Sequence, residues 1–220
     1  MAIGTYAQLK TALETWLARA GDADVVANAA DCISMGESRL NRRLDLRMFR
    51  TDATLTGTVS SRSLTLPTDF VEPIALFITI SGSRTMLSPK IAGTFTYSTT
   101  NGIPVAWCIN GSNIDLDCPL SSAYSFSFRY RQSFALSDSA TTNWLLTNHP
   151  DCYLSAAMVH AAMLVQDSDA IQIWQSALNQ HIDEINEKEN RNRSIGTLIV
   201  DTALTTNLSS PGSFDFTSGQ

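Results

Sequence analysis

The sequence predicts an α+β protein: an antiparallel bundle of about four helices with a β-rich insertion and an extended C-terminal tail. Apolar residues recur every three or four positions in the first fifty residues and again after residue 140. Between these segments the chain is rich in Thr, Ser, Gly and Pro, and apolar and polar residues alternate. The predicted parts are a helical domain (1–50 plus 140–194), a β-rich insertion (51–139) and a partner-docking tail (195–220).

The composition predicts a globular chain whose acidic surface repels DNA. The net charge is −6, and the charged fraction of only 16% is typical of a protein that buries part of its surface against partners. The N-terminus lacks the pattern of a signal peptide, and no apolar run is long enough to span a membrane. Four scattered cysteines without a CxxC pair favour free thiols in a reducing cytoplasm.

Two helices are predicted before residue 50. The inner face of the first is Tyr6, Leu9, Leu13, Trp16 and Leu17. The second runs from about Asp24 to Arg47, where its capping signals and periodicity place it. Its inner face is Val26, Ala29, Ala30, Ile33, Leu40 and Leu44.

Three strand candidates stand out in the insertion. The run "EPIALFITI" ends at Ser81–Gly82–Ser83. In "PVAWCINGSNIDLD" an Asn-Gly pair separates two alternating runs, which predicts a tight hairpin with Val105, Trp107 and Ile109 on one face. The run "YSFSFRYR" predicts a strand with a packed aromatic face and a wet face of Ser and Arg. Its aromatic residues are Tyr124, Phe126, Phe128 and Tyr130.

Two further helices follow the insertion. Pro150 begins a segment that is apolar almost all round, so this helix should be central and buried. Asp167–Ser168–Asp169 caps the last helix. The inward residues of that helix are predicted to be Ala170, Ile173, Trp174, Ala177, Leu178, His181, Ile182 and Ile185.

No catalytic, cofactor-binding or metal-binding motif is predicted. The chain has no Gly-rich phosphate loop, nucleophile elbow or HExxH motif. Asp115 and Asp117 share one side of a strand and could bind a cation or act together, but a solvated strand face is favoured. Cys152 and His160 are too far apart in sequence for a zinc pair on one turn. An enzyme would need a pocket in which Asp115, Asp117 or one of the three histidines (His149, His160 and His181) converge.

The segment "GESRLNRRLDLRMFR" contains five arginines in fifteen residues. On a continuous helix Arg39, Arg43, Arg47 and Arg50 form one stripe beside the apolar face, and Arg42 points away. Glu37 falls in the middle of the apolar face, so it should meet an arginine or cap a neighbouring turn. Three interpretations of the stripe are open: a solvated helix flank, a protein contact or, less favoured, a nucleic-acid contact.

The tail contains the alternating run "TLIVDTALT". A lone strand is unstable in water, so this segment is predicted to join a sheet edge in its own chain or another. The candidate contact residues of the tail are Leu198, Val200, Leu204, Phe214 and Phe216.

From Tyr6 to about Arg193 the chain resembles the adaptor, or head-completion, proteins of tailed bacteriophages. The resemblance depends on the order of "YAQLKTALETWLAR", "GESRLNRRLDLRMFR", "LPTDFVEPIAL", "GIPVAWCINGSNIDL" and the run from "YSFSFRYR" to "HAAML". Gly36 stands where the family pattern has Ala, which should loosen the helix slightly.

The resemblance implies a non-enzymatic structural protein of the virion neck, present in the host cytoplasm before assembly. Members form a dodecameric ring below the portal protein, extend the DNA channel and dock tail nozzle, tail tube or fibre proteins. DNA is then only passing cargo, and no membrane or cofactor is involved. The interface residues are predicted to be Arg39, Arg43, Arg47, Arg50 and Glu37, with the arginine-rich helix facing the acidic "DEINEKE" run of a neighbour. The alternative function is a carbohydrate- or protein-binding module of a tail-associated protein.

Overall fold

The computed structural model describes residues 3–94 and 96–194. Within these ranges there are five α-helices, and none of them is long and apolar enough to cross a membrane. The helices are α1 (Tyr6–Trp16), α2 (Ala23–Arg43), α3 (Trp144–Asn148), α4 (Pro150–Leu164) and α5 (Ser168–Ser194). Two 3₁₀ turns lie at Arg47–Phe49 and Ala92–Thr94.

Eight strands in the same ranges form two four-stranded sheets. The strands are β1 (Arg50–Thr56), β2 (Ser63–Thr65), β3 (Phe70–Ile80), β4 (Ser83–Met86), β5 (Ser88–Pro89), β6 (Ala106–Asn110), β7 (Asn113–Leu116) and β8 (Ser125–Gln132). The first sheet has the order β1-β8-β3-β4 and the second β2-β7-β6-β5. Among these eight strands, only β5 and β6 pair in parallel. The α+β class is confirmed, whereas a helical bundle as the main architecture is not, because the sheets are substantial.

Helix α4 is the centre of the helical core. Every residue from Cys152 to Val159 is buried, which confirms the prediction made from its apolar sequence. Helices α2 and α5 both pack against it, and α1 contacts α2 and α4. A second hydrophobic cluster lies between the two sheets. The division of the chain into domains stays a prediction.

Four inward assignments are wrong, and one of them is Ala30, which is exposed on α2. Val26 is 50% exposed and Val25 is buried in its place, so the apolar face of α2 begins one residue earlier. Trp16 and Ile173 are 60% and 66% exposed. Helical spacing shows which residues share a face, but the edges of a buried face depend on where the neighbouring helices lie.

Gly36 lies at a close contact between α2 and α4. A Cβ atom at this position would be 3.0 Å from the carbonyl carbon of Ala156 and 3.0 Å from the nitrogen of Ala157. The glycine therefore permits a close helix contact as well as reducing helix propensity.

The predicted strands are confirmed, with two refinements of detail. The aromatic residues Phe126, Phe128 and Tyr130 are buried, but Arg131 beside them is also buried, although the alternation predicted a wet position. In the predicted hairpin Asn110 pairs with Asn113, so the two-residue turn is Gly111–Ser112. Gly111 has φ of +58°, as a turn with glycine at its first central position requires.

Val105 is also misplaced by the hairpin prediction. It precedes β6 and is exposed, whereas Trp107 on that strand is buried. The backbone N–H of Val105 donates to the carboxylate of Asp117, which holds the entry to the strand. The predicted shared face therefore begins after Val105.

Candidate functional site

The arginine-rich segment does not form one continuous helix. Helix α2 ends at Arg43, and Leu44 has extended backbone angles. Arg47 lies in the 3₁₀ turn and Arg50 begins β1. The predicted stripe on a single helix is therefore wrong, because only Arg39 and Arg43 of its four members lie on α2.

Arg131 explains where α2 ends. Its side chain donates to the backbone oxygens of Asn41 and Leu44, at 2.9 and 3.1 Å, and to the carboxylate of Glu72 at 3.2 Å. The last carbonyl groups of a helix have no partner within the helix. A buried guanidinium from β8 supplies those partners and fixes the exit of the chain.

Three of the four predicted arginines have partners within the chain. Arg43 donates to the side-chain oxygen of Asn179 at 2.6 Å. Arg47 forms an ion pair with Glu189 at 2.8 Å, and Arg50 lies 3.8 Å from Asp45. The contact between this segment and the acidic end of α5, which was predicted between neighbours, thus occurs partly inside one chain.

Arg39, Arg42 and His160 form what we call the cationic cluster. Burial lowers the pKa of Arg39, and the charges of Arg43 and Arg42 lower it further. Burial also lowers the pKa of His160, followed by the charges of Arg39 and Arg42. The Nε2 atom of His160 is buried and has no hydrogen-bond partner in the described part of the chain. Two guanidinium groups thus lie near a buried imidazole, and no described acidic residue opposes the lowering of the pKa of Arg39 or of His160.

Glu37 is an internal residue, with 5% of its surface exposed. Its carboxylate accepts a hydrogen bond from the backbone N–H of Leu136 at 2.6 Å and another from the hydroxyl of Tyr153. Burial raises the pKa of Glu37, and these two hydrogen bonds oppose that effect. The expected arginine partner is therefore wrong. Glu37 instead binds the connection between β8 and α3.

Asn41 lies one turn after Glu37 and binds the same connection. Its side chain donates to the backbone oxygen of Phe134 at 2.8 Å and accepts from the N–H of Phe134 at 3.0 Å. Together with Arg131 and Glu37, it fixes residues 131–136 along α2. We call this contact the α2 seam. Gly36, Glu37 and Asn41 of the arginine-rich motif thus have structural roles.

Three acidic side chains lie on the exposed part of α5, beside the exposed Lys188. Asp183, Glu184 and Glu187 are all exposed there, and Asp183 and Glu187 lie one turn apart. Gln180 donates to Glu184 at 2.8 Å. We call Asp183 and Glu187 the acidic stripe, because they point in nearly the same direction from the helix.

A groove of about 570 Å³ between α1, α4 and α5 contains a Ser-His-Asp arrangement. The Oγ atom of Ser155 lies 3.2 Å from Nδ1 of His181, and Nε2 of His181 lies 3.7 Å from the carboxylate of Asp151. However, Ser155 donates its proton to the backbone oxygen of Asp151 at 2.8 Å. A serine within a helix also has no free backbone N–H groups to stabilise an oxyanion. The arrangement fits a polar contact between helices better than a catalytic triad.

The other candidate groups are held by local contacts. Asp115 accepts from Tyr97 and Asn110, and Asp117 accepts from the N–H of Val105. Among the described residues there is no group of three or more His, Cys, Asp or Glu side chains that could hold a metal ion.

Four large aromatic residues of the sheets face the core, whereas Phe77 on β3 is partly buried beneath the guanidinium of Arg84. Trp107, Phe126, Phe128 and Tyr130 are buried, and exposed aromatics would have favoured a carbohydrate-binding module. The tail residues Leu198, Val200, Leu204, Phe214 and Phe216 lie outside the described residues.

Comparison with known proteins gives one family. A family model described as SU10 adaptor protein matches residues 4–201, which is well over half of the chain. No curated protein matches the chain.

Proposed function

Because the chain belongs to the SU10 adaptor protein family, we propose that it is the head-to-tail adaptor of a tailed bacteriophage. Family membership gives it a structural role as a phage adaptor, and the match over residues 4–201 is the observation on which the proposal depends. In the proposed assembly, copies form a dodecameric ring below the portal protein. The ring extends the DNA channel and docks a tail nozzle, tail tube or fibre protein.

The distribution of charge supports a channel role. The chain has a net charge of −6, and residues 141–194 contain seven acidic and three basic side chains. A negative lumen would repel the phosphates of passing DNA and keep the duplex from binding to the wall. In this proposal the protein acts in the virion neck and is present in the host cytoplasm before assembly.

A ring needs two different surfaces on each copy, because its interfaces are heterologous. The predicted interface set is Arg39, Arg43, Arg47, Arg50 and Glu37. Of these, Glu37 is buried in the α2 seam, and Arg43 and Arg47 contact α5 of the same chain. Arg39, which is half-buried without an acid beside it, is the member best placed for a contact between copies.

The tail would attach the ring to its neighbours. Leu198, Val200 and Leu204 alternate with other residues, and Phe214 and Phe216 provide further apolar side chains. An extended segment of this kind can add a strand to an exposed sheet edge of the portal or of an adjacent copy.

Electron microscopy of the full chain mixed with its cognate portal tests the proposal. We expect a ring of twelve copies on the tail-facing end of the portal, with an open central channel. Truncation after Arg193 should leave a folded monomer that no longer binds the portal. Portals that remain bare at saturating protein would contradict the proposed function, and portal binding by the truncated chain would contradict the role of the tail.

A further inference from the structure

The cationic cluster is incomplete in the isolated chain. Arg39 is half-buried, and a guanidinium that loses water requires an acidic or carbonyl partner. The charged groups that act on Arg39 are both arginines, and the same is true of His160. Arg42 is exposed and has no ion pair with any described acid. An anionic partner from outside the chain would satisfy this cluster.

His160 supports the same conclusion from a hydrogen-bonding argument. Its Nε2 atom is buried and has no hydrogen-bond partner among the described residues. Buried polar atoms in native proteins nearly always have a partner, so an exception indicates a missing group. One other buried polar atom of the described residues, Nε of Arg131, also lacks a partner, but the two terminal nitrogens of that guanidinium are bound. The unpartnered atom of His160 is the one that lies near the arginines of the cluster.

The surroundings of the cluster indicate a protein partner. Met35 lies on α2 one turn before Arg39 and is exposed. Methionine and arginine are both enriched at protein interfaces. A surface for duplex DNA would need further basic residues, and the chain as a whole is acidic.

The acidic stripe has the complementary properties. Asp183 and Glu187 are exposed, and no ion pair joins either of them to a described base. They are separated by about 6 Å along α5, and Arg39 and Arg42 by about 4.5 Å along α2.

We propose that the cationic cluster of one copy binds the acidic stripe of a second copy, in a head-to-tail contact that repeats around a ring. This inference rests on the proposed function and names the surfaces that would join its subunits. Because the two surfaces lie on different helices and do not pair within the chain, each copy can offer one to either neighbour.

Charge reversal on each surface tests the contact. In the full chain, the pair Arg39→Glu and Arg42→Glu should weaken ring formation on the cognate portal at least about tenfold, and Asp183→Lys with Glu187→Lys should do the same. Combining all four substitutions should restore rings. Arg42→Glu alone is a second variant that leaves the half-buried Arg39 unchanged. The matched control is Lys90→Glu, which reverses one charge on the β-rich part.

Each outcome has a separate meaning. Normal rings from both reversed variants would overturn the contact while leaving the proposed function intact. If the reversed variants form rings that fail to bind the portal, the cluster contacts the portal. If they form normal rings that retain less DNA, the cluster contacts DNA. Either result overturns the inference. Absence of rings from the unmodified chain would instead contradict the proposed function.

Discussion

Replacing Gly36 by alanine has two opposing effects on stability, and the structure allows their magnitudes to be compared. Alanine favours a helix over glycine by about 1 kcal/mol. The added Cβ would however lie 3.0 Å from the backbone of Ala156 and Ala157, closer than ordinary van der Waals contact. Those atoms belong to the buried helix α4, so α2 and α4 would have to separate by a few tenths of an ångström.

The packing effect should prevail. Overpacking a dense core costs about 1–3 kcal/mol, so the net change for Gly36→Ala should be a loss of about 1 kcal/mol in the free energy of unfolding. Urea denaturation followed by circular dichroism measures this change. Ala30→Gly, at an exposed position of the same helix, should lose about 1 kcal/mol through propensity alone. A Gly36→Ala chain more stable than the unmodified one would refute the reasoning about close helix contact.

The α2 seam gives three further predictions. Asn41→Ala should reduce stability by about 2–3 kcal/mol, because it leaves both backbone groups of Phe134 without partners. Arg131→Met should cost about 3 kcal/mol, whereas Glu72→Gln should cost less than about 1 kcal/mol, because Glu72 is largely exposed. Burial raises the pKa of Glu37, so the folded chain binds this proton more tightly than the unfolded chain does. The difference in free energy of unfolding between the unmodified chain and Glu37→Gln should therefore shift in favour of the unmodified chain as the pH falls through the raised pKa. It should shift the other way as the pH rises.

Each of these predictions has a matched control in denaturant melts. Asn28→Ala removes only an exposed side-chain contact within α2, and an equal cost at Asn28 and Asn41 would contradict the seam. Equal costs for Arg131→Met and Glu72→Gln would show that capping of α2 contributes little. For Glu37, exposed Glu184 is the control: if Glu37→Gln and Glu184→Gln give parallel curves of stability against pH, the linkage to Glu37 is wrong.

Local sequence patterns were sufficient to predict the elements whose conformation depends on residues that are close in sequence. The continuous apolar surface of α4 follows from its own sequence, and the hairpin turn at Gly111 follows from a glycine that can adopt positive φ. The aromatic alternation of β8 likewise predicted the burial of Phe126, Phe128 and Tyr130, although it did not predict the burial of Arg131. In each case the determining interactions lie within a few positions along the chain.

The end of α2 could not be predicted in this way. Residues 44–53 contain no glycine or proline, and the apolar spacing continues through Leu44, so the sequence favours a longer helix. The helix ends where Arg131, nearly ninety residues later, binds its last carbonyl groups. The partners of Glu37 are also distant in sequence. A buried acid predicts that a partner exists but does not identify it.

The pairing of β1 with β8 has a consequence for the order of folding. Arg50 lies opposite Arg131 in that pair, so the segment before the β-rich part and the segment after it emerge side by side. Without the sheet, bringing Phe49 against Phe134 would require closing a loop of about 80 residues, at an entropic cost of about 4 kcal/mol. Once β1 and β8 are paired, the two ends of that loop are separated only by the width of one strand pair. Substitutions that weaken the β1–β8 pair should therefore slow the assembly of the helical core, even though they change none of its residues.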